Sequence, residues 1–213
     1  MIYDIDIAKQ VAKSLLQINA IILQPNNPFI WAAGWNSPIY CDNRKTLSYP
    51  EIRNNIRQGL SAIVKNHYKG ANVIAGVATA GIPHGALVAE ELGLPFIYVR
   101  AKAKEHGKQN QIEGYFEKGQ SVILVEDLIS SGKSSLEAAT VLRESGMHVK
   151  GMVSIFTYGF DAATENFKAN DCEYVSLCDY NTLLPQAIES QYIEEKDLAV
   201  LKLWRENPSI WKK

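Results

Sequence analysis

Apolar residues at Ile5, Val11, Ala12, Leu15, Leu16 and Ile22 recur near helical spacing and predict an amphipathic helix over the first twenty residues. Residues 29–40 are aromatic, rich in small side chains and punctuated by Gly34 and Pro38, which predicts extended chain or a hairpin. Pro50 suits a first helical turn, and Ile52, Ile56, Leu60 and Ile63 continue an apolar stripe to about His67. Apolar strand runs then alternate with helical stretches. Strands are expected at 73–76, 95–99, 121–125, 148–156 and 174–177, and helices at 82–92, 134–145, 161–168 and from Tyr180 onward. Residues 100–111 are polar, basic and without period, which predicts an exposed loop. This alternation implies an α/β fold with a mostly parallel central sheet flanked by helices. No repeat or linker interrupts it. One domain is expected, with residues 1 to about 70 as an added subdomain, 71–180 as the core and 181–213 as C-terminal helices.

Composition narrows the class without choosing the chemistry. With 213 residues, 46% hydrophobic and 21% charged, the chain is long enough for a substantial core. A formal net charge of -1 gives no bulk attraction to nucleic acid or an acidic membrane, so any anion site must be local. No basic segment followed by an apolar run opens the chain, and no stretch approaches a membrane-spanning length. Cys41, Cys172 and Cys178 fit neither a disulfide framework nor a zinc site; thiols in a reducing cytosol are the expectation.

Ligands of open α/β sheets bind beyond the carboxyl ends of the strands. That directs attention to residues 76–85, 100–114 and 126–135. Behind the apolar run Val122-Ile123-Leu124-Val125, the paired acids Glu126 and Asp127 make no sense for core packing. Leu128 and Ile129 return to the core, and Ser130-Ser131-Gly132-Lys133-Ser134 then opens a helix. Hydroxyls and successive backbone N–H groups at a helix N-terminus form a cradle for a phosphate monoester. The end of this loop is similar to a nucleotide-hydrolase phosphate loop, but that loop needs a glycine where Asp127 stands. An ordinary capped helix would account for the serines, though not for the two acids.

The run from Val122 to Ser134 resembles the phosphoribosyl-pyrophosphate motif of type I phosphoribosyltransferases: four apolar residues, two acids, two apolar residues, then a hydroxyl- and glycine-rich loop. The resemblance implies that fold, with an N-terminal hood subdomain. It also implies that Glu126 and Asp127 take the ribose hydroxyls while Ser130, Ser131, Gly132, Lys133 and Ser134 hold the 5-phosphate. Gly76-Val-Ala-Thr-Ala-Gly-Ile-Pro-His-Gly85 is similar to the family's pyrophosphate-binding turn, with Thr79, Ala80 and Gly81 at its centre. Many members carry lysine where this chain has Ala32 and Ala80; a branch of the orotate enzymes carries alanine at both. His84 is either a ligand contact or an ordinary helix histidine.

Residues 29–44, and above all Ser37-Pro38 with Tyr40, Asp42, Asn43 and Arg44, resemble the N-terminal segment of orotate phosphoribosyltransferases. Orotate is a flat ring bearing a carboxylate, which needs an apolar face, amide-like hydrogen bonds and one cation. Ser37, Tyr40, Arg44 and Ser130 are the candidate base contacts, Arg44 for the carboxylate; its bland alternative is a surface ion pair with Asp42 or Glu51. Trp31 and Trp35 are assigned to the core. Arg100-Ala-Lys-Ala-Lys-Glu-His-Gly107 resembles the family's mobile catalytic loop, so Arg100, Lys102, Lys104 and His106 are expected over the pyrophosphate. Lys104, His106 and Asp127 are the candidate catalytic residues. The resemblance further implies Mg²⁺ carried by the phosphoribosyl donor and a homodimer whose lid covers its neighbour's site. A purine or uracil transferase, or a non-enzymatic sensor of the donor that binds RNA, are the competing readings.

Overall fold

The computed structural model describes residues 1–31, 34–101 and 111–212. Helix α1 (Ile5–Gln17) starts at Asp4, whose carboxylate accepts from the backbone N–H groups of Asp6 and Ile7 at 2.9 Å each. It stops short of Ile22, which lies in strand β1 (Ile21–Leu23) rather than on the helix. Strands β2 (Phe29–Ile30) and β3 (Asn36–Ser37) form the expected hairpin, and β4 (Ile39–Cys41) pairs antiparallel with β1. A 3-10 turn (Asn43–Ser48) leads into α2 (Pro50–His67), with Pro50 at its first turn.

The main sheet then builds up from β5 (Val73–Val77), α3 (Gly81–Leu92), β6 (Phe96–Val99), β7 (Ile112–Glu113), β8 (Ser121–Ile129), α4 (Lys133–Glu144), β9 (His148–Thr157), α5 (Asp161–Ala169) and β10 (Tyr174–Asp179). Helices α6 (Tyr180–Glu189) and α7 (Leu198–Glu206) follow. The strand order is β10-β9-β8-β5-β6-β7, parallel throughout except for β7, which runs antiparallel to β6. Connections leave the adjacent strands β5 and β8 toward opposite edges. The crevice above their carboxyl ends is therefore the topological switch point, where such sheets bind ligands.

Two apolar clusters cover the faces of this sheet. One joins α1, α2, α3, α6 and α7 to the side chains of Ile74, Ile123, Val125 and Val153. The other joins α4 and α5 to Val73, Ala75, Val122 and Leu124. Alternate residues of one strand thus feed different faces, as a sheet buried on both sides requires. The N-terminal residues Val11, Leu15 and Ile56 share the first cluster with the sheet. Trp31 packs there too, its ring 5.2 Å from that of Tyr158 and 5.5 Å from that of Trp204. Trp35 departs from expectation: at 37% exposure on the hairpin it is a surface residue.

Strand β8 is the informative departure. Its apolar run predicts an end at Val125, yet the strand continues through both acids to Ile129. Pairing with β5 ends where expected, at Gly76 opposite Val125. Pairing with β9 continues, Glu126 opposite Ser154, Leu128 opposite Phe156 and Ile129 opposite Thr157. One long neighbour holds the strand extended after the other has turned away.

Candidate functional site

The acids of β8 sit in this half-paired stretch. Glu126 is 6% exposed, and both its oxygens are engaged: Oε1 accepts from the Asp127 N–H at 3.0 Å, and Oε2 from the Ser135 hydroxyl at 2.9 Å. Burial, then the neighbouring Asp127 charge, pushes the Glu126 carboxyl well above its ordinary range. Burial raises Asp127 as well, while its bond to Glu126 and the Arg44 guanidinium pull it back. Two adjacent buried carboxylates resist a double negative charge, so the pair holds a proton more readily than either acid would alone. Asp127 is half-buried.

Beyond β8 the chain turns at Gly132, whose backbone is left-handed at φ 77° and which caps α4 without a side-chain bond. A Cβ there would lie 2.4 Å from Cε2 of Phe167, so this position needs glycine both for its dihedral and for the close approach of α5. Ser131, Lys133 and Ser134 are exposed, and the Asn166 amide on α5 donates to the Ser131 carbonyl at 3.0 Å. A hollow of about 430 Å³ is lined by Leu128, Ser130, Ser131, Gly132, Lys133, Ser134, Ser135 and Glu137. The first turn of a helix offers free N–H groups, which gives this hollow the chemistry of an anion cradle.

Across the switch point, the turn after β5 presents exposed Thr79 and half-buried Ala80 before α3. Gly81 there is packed directly on β8, since a Cβ would come 2.3 Å from the Val125 carbonyl oxygen. His84 is buried, 1% exposed, with its Nε2 unpaired and its pKa pushed down to about 4 by burial. It is a neutral core histidine. Arg100 ends β6, half-buried, with its guanidinium 3.4 Å from the Glu113 carboxylate. Val77, Ala78, Arg100, Gln111, Ser131, Lys133 and Ser134 help line a second cleft of about 670 Å³ between the ends of β5 and β6 and helix α4.

The N-terminal segment reaches this site through its 3-10 turn. Asn43 is fully buried and donates from Nδ2 to the Asp127 carbonyl at 2.7 Å. Arg44, next in sequence, bonds Asp42 at 2.6 Å, has a side chain 62% exposed and is close enough to Asp127 for each to shift the other's titration. Tyr40 is 40% exposed and packs on Phe29 at 5.6 Å. Ser37 is fully buried, and its hydroxyl is bonded to both the N–H and the carbonyl of Ile39. Neither hollow is lined by Arg44 or Asp127, so the segments meet along a partly open surface.

The sequence model for the phosphoribosyl transferase domain matches residues 47–181. An orotate phosphoribosyltransferase of Cytophaga hutchinsonii is 53% identical over 205 residues, covering 96% of this chain and 98% of its own. The chain belongs to the orotate phosphoribosyltransferase family. The solved orotate phosphoribosyltransferase of Aeropyrum pernix superimposes with a TM-score of 0.74 at 28% identity, covering 83% of this chain and 97% of that one. The structure of Leishmania donovani UMP synthase gives 0.79 at 27% identity and covers 93% of this chain, which spans 42% of that longer protein. The family's type I fold, a six-stranded mostly parallel sheet flanked by helices with small N-terminal sheets, is the one seen here. Membership makes the chain a pentosyltransferase of pyrimidine biosynthesis.

Within this orotate phosphoribosyltransferase fold, Glu126, Asp127, Ser130, Ser131, Gly132, Lys133 and Ser134 gather at one strand end, with Thr79, Ala80 and Gly81 across the switch point and Arg100 at the adjoining strand. Lys102, Lys104 and His106 lie outside the described residues. The Arg44 ion pair with Asp42, weighed as its bland alternative, is present alongside its proximity to Asp127. Sequence reasoning assigned no role to Ser135 or Asn166, and it placed Asn43 in the orotate-like segment without a role of its own. Each acts through a hydrogen bond made in the folded chain, to a partner 84 residues away for Asn43, 35 for Asn166 and 9 for Ser135. Among the described residues no helix is long and apolar enough to cross a membrane.

Proposed function

We propose that this chain joins orotate to 5-phosphoribosyl 1-pyrophosphate, yielding orotidine 5'-phosphate and pyrophosphate. The observation that carries the reading is the meeting of three chemistries around β8: an acid pair, a serine- and glycine-rich helix start, and the Arg44 turn held to the Asp127 backbone. In this reading the 5-phosphate lies on Ser130–Ser134 and the ribose hydroxyls on Asp127. Glu126 is tied down by Asp127 and Ser135 but keeps a second lone pair on each oxygen for a ribose hydroxyl. Arg44 pairs with the orotate carboxylate, and Tyr40 offers an exposed ring edge beside it.

Among the described residues no cluster of three or more His, Cys, Asp or Glu could cage a metal. Mg²⁺ would instead arrive on the donor's own phosphates, with no carboxylate cage supplied by this chain. The chemistry it supplies there is neutralisation of pyrophosphate charge. As the bond to pyrophosphate breaks, positive charge develops on the anomeric carbon, and the ring nitrogen of orotate attacks with inversion. Ionised Asp127 stabilises that charge. Arg100, with Lys102, Lys104 and His106 of the lid, stabilises the leaving pyrophosphate, Lys104 or His106 as proton donor. A homodimer in which the lid reaches the neighbouring site is part of the same reading.

The test is turnover of orotate and the pyrophosphate donor with Mg²⁺ by the wild type, Asp127→Asn and Lys104→Ala. Activity should fall by about 10²–10³-fold in each variant, the range for losing one preorganised charge-stabilising group. Unchanged rates in both variants would sink the residue assignment, and a wild type that prefers adenine, hypoxanthine or uracil would sink the base.

A further inference from the structure

We propose that Asn43 is a positioning residue that sets the base pocket against the ribose-binding acids, an inference that rests on the orotate reading above. Its basis is a gap in the sheet. Past Val125, strand β8 has lost its β5 partner, and the two backbone groups of Asp127 are satisfied by side chains instead. The N–H donates to Glu126 Oε1 at 3.0 Å, and the carbonyl accepts from Asn43 Nδ2 at 2.7 Å. A buried backbone group must be paired somewhere, so Asn43 takes the place of a missing strand.

Asn43 is itself held from two further directions. Its Oδ1 accepts from the Cys41 thiol at 3.4 Å, and its own carbonyl accepts from the Thr46 hydroxyl at 2.6 Å. Hydrogen bonds therefore run from β4 through Asn43, Asp127 and Glu126 to Ser135 on α4. Base turn, ribose strand and phosphate helix are linked in one series. Arg44 follows Asn43 directly, so the amide that anchors Asp127 also places the Arg44 backbone, and Asp42 in turn holds its guanidinium. A polar chain of this kind specifies one geometry, and a displacement of about 1 Å at reacting groups costs about 100-fold in rate.

Asn43→Ala removes the bond, and Asn43→Asp keeps shape and the thiol contact while removing the donor. Both should weaken binding of the pyrophosphate donor alone by less than about tenfold, because the phosphate cradle on α4 is intact and only the Asp127 ribose contact is disturbed, and lose about 100-fold in kcat/KM for orotate. Asn43→Asp carries its own signature. Its carboxyl, once protonated, can again donate to the Asp127 carbonyl, so its activity relative to Asn43→Ala should recover as pH falls. Its side-chain partners are Cys41 on β4 and Asp127 on β8, and the titratable and charged groups that act on those two are Asp42 and Arg44 on its own turn, Glu126 on β8, Tyr158 after β9 and Cys178 on β10. These are common to both variants, which therefore differ only in the introduced carboxyl and its field on them. Melting temperatures are measured alongside. A wild type without orotate turnover would overturn the functional reading, and this inference with it. An active wild type with unchanged orotate kinetics in both variants would overturn this inference alone. So would donor binding, orotate kinetics and melting temperature falling together without acid recovery of Asn43→Asp, which is the pattern of a merely structural residue.

Discussion

Gly132→Ala tests the physical account of the phosphate cradle. At φ 77° an alanine adopts the left-handed region at about 1–2 kcal/mol. Its Cβ would also stand 2.4 Å from Cε2 and 2.9 Å from Cδ2 of Phe167, a ring that is 2% exposed and packed 4.4 Å from Tyr174. The ring has no free space, so relief requires α5 or the loop to move, at about 1–3 kcal/mol for an overpacked core. The two effects together come to about 2–5 kcal/mol, and for a chain of this size each kcal/mol lowers the melting temperature by about 2–4 °C. Differential scanning calorimetry should then show a fall of about 4–20 °C. Donor affinity, read by isothermal titration, should fall with it, because the displaced atoms are the cradle itself. Phe167→Leu separates the contributions: combined with Gly132→Ala it should cost less than the sum of the single variants by about 1 kcal/mol or more. Strict additivity, or a Gly132→Ala protein as stable as wild type with undiminished donor affinity, would refute the reasoning.

Two further outcomes follow from the electrostatics. Burial raises Glu126 above its ordinary 4.5, so its contribution to stability is full below that value and lost as pH rises through the raised folded pKa. Glu126→Gln has no charge to bury, and its melting temperature relative to wild type should climb as pH rises above the ordinary carboxyl value of 4.5; a constant offset would contradict this. Arg44→Gln removes a mostly exposed side chain whose ion-pair partner among the described residues is neighbouring Asp42, so stability should change by roughly 0.5 kcal/mol or less. Its KM for orotate should rise about tenfold to a hundredfold, the equivalent of a charge-assisted bond of about 1.5–3 kcal/mol, with donor affinity nearly unchanged; equal effects on both substrates would argue against a carboxylate partner.

The periodic parts of the fold were legible because their cause is local. Pro50 and the Ile52–Ile63 stripe mark α2, and the uninterrupted run Val122–Val125 marks a strand buried on both faces. Ile22 was misread because three apolar residues after a helix carry no signal of their own period; pairing with β4 makes them a strand. Trp35 was misread because an aromatic ring in a hairpin fits core and surface equally until the fold sets which side is outward.

The site divides along the same line. Residue types and order by themselves determined that acids follow an apolar strand, that hydroxyls and a glycine open the next helix, and that Arg44 trails an aromatic hairpin. These are features of neighbouring residues, and neighbouring residues are what a sequence reports. Only the tertiary structure decided that β8 runs on past its β5 partner, that Ser135 ties down Glu126, and that Asn43 completes the backbone of a residue 84 positions away. Each of these depends on which strand ends first and what side chain then comes within hydrogen-bonding reach. That is a property of the assembled sheet, and no local spacing encodes it.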